Sequence, residues 1–179
     1  MEEIDDWDEL EEKEQAEETA AAVPAVGAAE VRAELCRKMA QRLLRDQRIA
    51  EPPVPVDRIA KTLGFAVQHQ DLPRGIHARL QIIDSRRVIE LARGEADARH
   101  RFSIAHELGH FFLGHRHNEH KTGETEANLF AGELLIPRTW LRRDLANHLT
   151  VAELIARYRV SREVLFIVAK DARLLNRLR

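Results

Sequence analysis

The chain has few of the features that build disulfide scaffolds, membrane spans or export signals. Its 179 residues include one cysteine, Cys36, which excludes a disulfide framework within one chain and a thiolate-rich metal site. No stretch approaches the ~18 apolar residues of a transmembrane helix, and the N-terminus is acidic where a secretory signal would be basic and apolar. We therefore expect a soluble, cytoplasmic protein in which imidazoles and carboxylates are the available metal ligands.

Acidic residues are concentrated at the N-terminus. Residues 1–30 contain twelve Asp or Glu and one basic residue, Lys13, so a total charge of -2 leaves about +9 for the rest of the chain. The alanine, valine, proline and glycine segment that follows the acidic block buries too little apolar surface to fold. We predict a disordered acidic tail over 1–29 that aids solubility. The alternatives are a solvated acidic helix over 7–22 and a segment that shields the basic body.

The next part of the chain changes from helical to strand periodicity. Apolar residues recur at helical spacing over 28–49 and again over 56–64, with a proline-rich stretch between them. Three extended segments follow, at 65–70, 76–83 and 86–91. Asp84 and Ser85 separate the last two segments, as in a hairpin. The sequence therefore predicts two helices followed by a small antiparallel sheet.

Helical periodicity returns at Ala98. The pattern predicts a helix that ends near Gly114, a polar loop over 115–123, and a helix over 124–135 that Pro137 closes. Three short helices are expected after it, at 138–148, 150–158 and 161–175. We divide the chain into the tail, a main domain over 30–137 and a C-terminal helical subdomain over 138–179 that resembles a helix-turn-helix.

Five of the nine histidines lie in the stretch RHRFSIAHELGHFFLGHRH, residues 99–117. Within it, His106, Glu107 and His110 form the pattern H-E-x-x-H. Residues i and i+4 share one face of a helix, so both imidazoles can bind one metal ion, and the glutamate between them can act as a base. The alternative is a surface helix with a histidine-rich polar stripe. The neighbouring phenylalanines favour a buried helix, where unpaired polar groups are costly.

A mononuclear zinc site needs a third protein ligand. Gly114 follows His110 one residue too late for the H-E-x-x-H-x-x-G-x-x-H pattern, and a continuous helix would place His117 ~10 Å too far along the axis. Glu124 and Glu126 of the next helix are the other candidates. Glu124 shares a face with apolar residues, whereas Glu126 points in a less apolar direction, so we predict Glu124 as the ligand. Zn2+ is the expected ion, and the same ligands also accept Mn2+ or Co2+.

Two motifs closely resemble those of a known family. They are RFSIAHELGHFFLGH and ETEANLFAGELLIP, and the segment PPVPVDRIAKTLGFAV precedes both. Their combination resembles the ImmA/IrrE family of metallopeptidases from about residue 30 to the C-terminus. The resemblance implies an α+β fold in which a small antiparallel sheet packs against a zincin-like pair of helices. It also implies that His106, His110 and Glu124 bind zinc and that Glu107 is the general base.

Members of that family are typically regulatory proteases of mobile elements or stress-response systems. They cut a helix-turn-helix repressor at one site. The resemblance therefore implies that this chain is a zinc metallo-endopeptidase with a helix-turn-helix repressor as its protein substrate, and no membrane partner is expected. A rival hypothesis is a non-catalytic metal-binding regulator that binds DNA or a repressor through its basic C-terminal helices. A general peptidase is a third alternative.

The C-terminal subdomain is basic, with ten Arg or Lys against four Asp or Glu over 138–179, and this balance favours DNA binding. Its sequence departs from the helix-turn-helix pattern in ways that argue against DNA contact. Arg159 stands where the turn commonly has glycine, Ile155 where a small residue is common, and the presumed recognition helix is apolar at 165–168. The resemblance to the ImmA/IrrE family implies that this segment helps to position the protein substrate. A purely structural role is the main alternative, and DNA contact is the least favoured.

The sequence leaves the substrate-binding residues unassigned. An extended substrate can add to an exposed strand of the 77–91 hairpin through backbone hydrogen bonds. Four residues qualify by type as donors to the oxyanion: His77, His115, His117 and Tyr158. Three histidines of the histidine-rich stretch are expected to be polar residues at helix ends: His100, His115 and His117.

Overall fold

The computed structural model describes residues 31–115 and 121–178. The predicted tail over 1–29 lies outside these residues, as does His117.

The described elements are α1 Ala33–Asp46, α2 Val56–Thr62, β1 Phe65–Gln70, β2 Ala78–Ile83, β3 Arg86–Ala92, α3 Asp97–Leu113, α4 Lys121–Leu135, α5 Arg138–Ala146, α6 Val151–Tyr158, α7 Arg162–Asp171 and a 3-10 turn at Leu175–Arg177. The predicted α+β class is therefore confirmed. None of the described helices has the length and apolar character needed to cross a membrane.

The three strands form one mixed sheet in the order β1-β3-β2. Strands β2 and β3 pair antiparallel, which confirms the predicted hairpin, and Asp84 and Ser85 both have the positive φ that a tight hairpin turn requires. Strand β1 pairs parallel to β3, so the expectation of a wholly antiparallel sheet is wrong. Residues 88–91 of β3 are buried, as expected for the central strand, which separates β1 from β2.

Helices α3 and α4 approach closely at Gly109. A Cβ atom at this position would lie 3.1 Å from both the Cα and the carbonyl oxygen of Ala127, and 3.2 Å from the ring of Phe130. Ala127 and Ala131 are fully buried, as expected for small residues that allow two helices to pack closely. This contact brings the first turn of α4 to the face of α3 that contains the histidines.

Buried Arg101 joins α3 to two distant segments. Its guanidinium donates to the carbonyl oxygen of Val54 at 2.9 Å and to that of Arg159 at 3.1 Å. These carbonyls belong to the segment before α2 and to the end of α6. The position of α3 is therefore fixed from both sides by one charged side chain.

The C-terminal subdomain is helical, as predicted. Arg159 ends α6 with a φ of 53°, the left-handed conformation that glycine adopts more easily, and its guanidinium lies 3.0 Å from the carboxylate of Asp97. The next helix, α7, buries Leu165 and Val168 as its apolar sequence indicates. Ile167, in contrast, is 59% exposed, so the apolar run is not wholly used for packing.

Tyr158 is part of a buried polar cluster in this subdomain. Its hydroxyl donates to Asp144 at 2.8 Å, and Arg157 donates to the same carboxylate oxygen at 2.9 Å. Burial, followed by the hydrogen bond to Asp144, raises the pKa of Tyr158 well above its ordinary value. The hydroxyl therefore stays protonated and serves as a donor within the core.

We expect Tyr158→Phe to lower the free energy of unfolding by about 1–3 kcal/mol, because Asp144 would remain buried without one of its donors. Urea denaturation followed by circular dichroism measures the change. Thr139→Val removes an exposed hydroxyl from α5 and serves as the control, with little expected effect. An equal loss of stability in both variants would contradict the structural role of the Tyr158 hydroxyl.

Candidate metal centre

Three side chains from α3 and α4 converge on one point. The Nε2 atoms of His106 and His110 are 2.9 Å apart, and each lies 3.3 Å from a carboxylate oxygen of Glu124. Ligands about 2.0–2.1 Å from a tetrahedral zinc ion are ~3.3 Å from one another, so these separations fit zinc. Within residues 31–115 and 121–178, this is the one group of three metal-ligating side chains that lie close enough to share an ion.

Hydrogen bonds at the opposite ring nitrogens hold both imidazoles in place. His106 Nδ1 lies 2.9 Å from Asn128 Oδ1, and His110 Nδ1 lies 3.0 Å from His115 Nδ1. His115 Nε2 in turn lies 3.0 Å from a carboxylate oxygen of Glu126. Metal-binding histidines in proteins are commonly oriented by such partners.

One assignment of protons satisfies all of these bonds. His115 donates from Nε2 to the Glu126 carboxylate, so its Nδ1 accepts the Nδ1 proton of His110. His106 likewise donates its Nδ1 proton to the Asn128 carbonyl oxygen. The Nε2 atoms of both ligand candidates therefore keep the lone pairs that metal coordination requires.

Glu107 lies beside this group at 8% exposure. Burial, and after it the negative charge of Glu124, raise the pKa of Glu107 to about 7. The backbone N–H of Leu80 opposes this rise by donating to the carboxylate. A divalent cation nearby would lower this pKa again. With a cation bound, the carboxylate would therefore be ionised at neutral pH, beside the metal-ligating group, where it can accept a proton.

The metal centre opens into a cleft of about 810 Å³ between α3 and the segment 75–80. This segment includes the first half of β2, which is an edge strand because β3 flanks it on one side and no other described strand pairs with it. The cleft therefore combines a group of metal-ligating side chains, a buried carboxylate and an unpaired strand edge.

The family follows from a comparison with protein-family models. The model for the IrrE N-terminal-like domain, Peptidase M78, matches residues 60–167, which is more than half of the chain. The chain belongs to the ImmA/IrrE family. Such proteins are typically metal-dependent peptidases, and His106, His110 and Glu124 form a group of the right kind to hold a metal ion among the residues that the structure describes.

The fold of this ImmA/IrrE member is similar to that of a solved Mycobacterium tuberculosis transcriptional regulator. The TM-score is 0.54 at 19% sequence identity, and the match covers 72% of this chain and 44% of that chain. At this identity the likeness concerns the fold alone, and the chain spans less than half the length of that regulator. No curated protein sequence matches the chain.

The structure distinguishes Glu124 from Glu126, although not for the reason expected from the sequence. Glu124 faces the two histidines with a side chain that is 60% exposed. Glu126 is 2% exposed and binds the backbone N–H of Arg32 at 2.7 Å and its guanidinium at 2.6 Å. The hydrogen bonds from Arg32 are the main reason that the pKa of Glu126 falls to about 2. The expectation that Glu124 points inward with the apolar face is therefore wrong, because Glu126 is the buried member of the pair.

The four candidate oxyanion donors have different surroundings. His77 lines the cleft, and its Nδ1 bonds to the carboxylate of Glu95. His115 also borders the cleft, but both of its ring nitrogens are used by His110 and Glu126. Tyr158 lies in the core and is not part of the cleft wall. Among the candidates in the described residues, His77 alone combines access to the cleft with a ring nitrogen, Nε2, that bonds to no described residue.

Residues that support the ligands were missed by sequence reasoning, and His115 is the main example. It was expected to be a polar residue at a helix end, as His100 is, whereas its side chain is 3% exposed and contacts His110. The signal was Gly114, whose φ of 72° ends α3 and turns the chain so that His115 N–H bonds back to the His110 carbonyl. Asn128 and Glu126 lack a comparable local signal.

Proposed function

We propose that this ImmA/IrrE member is a zinc-dependent endopeptidase that cuts a helix-turn-helix repressor at one site. The observation that supports this most is the tetrahedral spacing of the His106, His110 and Glu124 ligand atoms beside the buried carboxylate of Glu107. Structural zinc sites in proteins generally have four protein ligands, whereas catalytic sites have three and an open position. Three ligands at the wall of a cleft match the catalytic kind.

The reaction needs a base and an electrophile. A bound zinc ion supplies the electrophilic chemistry, because it lowers the pKa of a water and polarises the scissile carbonyl. Glu107 accepts the proton of the attacking water and delivers it to the leaving amine. The hydrogen bond from the Leu80 N–H holds the Glu107 carboxylate against β2, so the base keeps a fixed position beside the strand that borders the cleft.

We assign the outer edge of β2, apart from the Leu80 N–H that Glu107 occupies, as the platform for the substrate backbone. A peptide that pairs with this edge lies in the cleft beside Glu107 and gains main-chain hydrogen bonds that do not depend on its sequence. We also assign Nε2 of His77 as the donor to the oxyanion. Glu95 accepts from its Nδ1, and Nε2 remains for the substrate.

Cleavage of a neighbouring repressor tests this function. The zinc-loaded chain is incubated with helix-turn-helix repressors encoded beside its gene, with and without EDTA. We expect one discrete cut that EDTA abolishes and added Zn2+ restores. A cut that persists in EDTA would contradict the metal mechanism, and the absence of a cut in every such repressor would contradict the substrate assignment.

His115 provides a separate test of how the site holds its metal. We expect His115→Ala to weaken zinc binding about 10–100-fold, because the ring of His110 loses the partner that orients it. His100→Ala is the matched control, since His100 lies near the start of the same helix and bonds to the Ala92 carbonyl instead. Competition with a chromophoric chelator measures the affinity. Equal affinities in the two variants would exclude a positioning role for His115.

A further inference from the structure

A second cavity, of about 690 Å³, lies among α1, α5 and the C-terminal end of α7. We call it the basic cavity. The charged residues in its wall are Arg37, Arg138, Arg142, Lys170, Asp171 and Arg173. Five of these are cationic and one is acidic, so the wall has a formal charge of +4. None of them lines the metal cleft.

Acidic groups neutralise part of this charge. Arg37 lies 3.1 Å from both carboxylate oxygens of Asp171, and Arg138 donates to the carboxylate and to the carbonyl oxygen of the same residue. Longer contacts join Arg138 to Glu133 at 3.6 Å and Arg37 to the exposed Glu34 at 3.8 Å. The Nε of Arg37 is nevertheless buried without a hydrogen-bond partner in the described part of the chain. Asp171 thus fixes two guanidinium groups in the wall.

The other three cations have no acidic partner. Arg142, Lys170 and Arg173 are exposed, and none forms an ion pair with any residue in the ranges that the structure describes. A helix C-terminus favours nearby cations, which accounts for Lys170 and Arg173 at the end of α7. It does not account for Arg142, which comes from α5. These three cations therefore come from two separate helices, α5 and the C-terminal end of α7, and line one concave surface.

We infer that the basic cavity binds a small anion that contains phosphate groups. Guanidinium groups match the oxygens of phosphate in geometry and remain charged at every physiological pH. The volume falls within the ~300–1,000 Å³ typical of small-molecule sites. Ile167 lines the cavity at 59% exposure and offers an apolar surface to an organic part of the ligand, as in a nucleotide.

The site is tested by titration of the full-length chain without zinc, so that a phosphate probe cannot bind through a metal ion in the cleft. The probes are pyrophosphate, ATP and a short DNA duplex, each followed by calorimetry at physiological ionic strength. The double variant Arg142→Gln with Lys170→Gln removes two cations that have no structural partner. We expect saturable binding of pyrophosphate and ATP to the unaltered chain and a loss of at least about tenfold in affinity in this variant.

The matched control is Arg45→Gln with Lys61→Gln, which removes the same charge from exposed positions outside the cavity. Loss of affinity in the cavity variant alone supports the inference. Equal losses in both double variants would show attraction to net charge and would overturn it. Binding of DNA without saturable binding of pyrophosphate would also overturn the inference. The absence of binding by all three probes would overturn it as well.

Discussion

Glu107→Gln is expected to abolish repressor cleavage while leaving zinc binding intact. Glutamine has nearly the same shape, and its carbonyl oxygen can still accept the Leu80 N–H. It cannot take a proton from water, and the loss of a general base reduces rates about 100- to 10,000-fold. His106, His110 and Glu124 are unchanged, so the metal content should stay at that of the unaltered chain.

Single-turnover cleavage and metal analysis of the same preparation measure the two effects separately. Glu133→Gln is the matched control, because Glu133 is also a buried glutamate, at 3% exposure, but lies outside the cleft wall. Its variant should retain cleavage in the folded fraction. Undiminished cleavage by Glu107→Gln would remove Glu107 from the role of base, and loss of zinc would instead make it part of the metal site.

The sequence was sufficient for the parts of the fold that depend on local pattern. The H-E-x-x-H helix and the β2-β3 hairpin follow from periodicity and turn chemistry within about twenty residues. The start of α4 was harder, because the residues at 121–123 are polar and contain Gly123, and such a composition resembles a loop. In the structure α4 begins at Lys121 and Gly123 is buried.

Features that depend on contacts between distant residues could not be predicted. The parallel direction of β1 results from the place of β3 in the sheet, and the bond between Arg32 and Glu126 joins residues 94 positions apart. The pair of Arg37 and Asp171 in the basic cavity is separated by 134 positions. No local periodicity encodes these pairings. The orientation of His110 depends on one of them, through Glu126 and His115.

Comparison of Glu124→Gln with Glu126→Gln tests the third ligand directly. An amide is a much poorer zinc ligand than a carboxylate, so Glu124→Gln should weaken zinc binding by more than the ~10–100-fold expected for an outer partner. The side chain of Glu124 is 60% exposed, so the zinc-free variant should keep its stability within about 0.5 kcal/mol.

The opposite pattern is expected at Glu126. Its buried carboxylate accepts hydrogen bonds from the backbone N–H and the guanidinium of Arg32 and from His115, at 2.6–3.2 Å, and glutamine cannot satisfy all of these donors. Since Arg32 is half-exposed, the loss of stability should be about 1–3 kcal/mol rather than the cost of a fully buried ion pair. Zinc binding should weaken only through His115. Urea denaturation of the zinc-free proteins and chelator competition therefore separate the two glutamates. If Glu126→Gln lost zinc and Glu124→Gln kept it, the ligand assignment would have to be reversed.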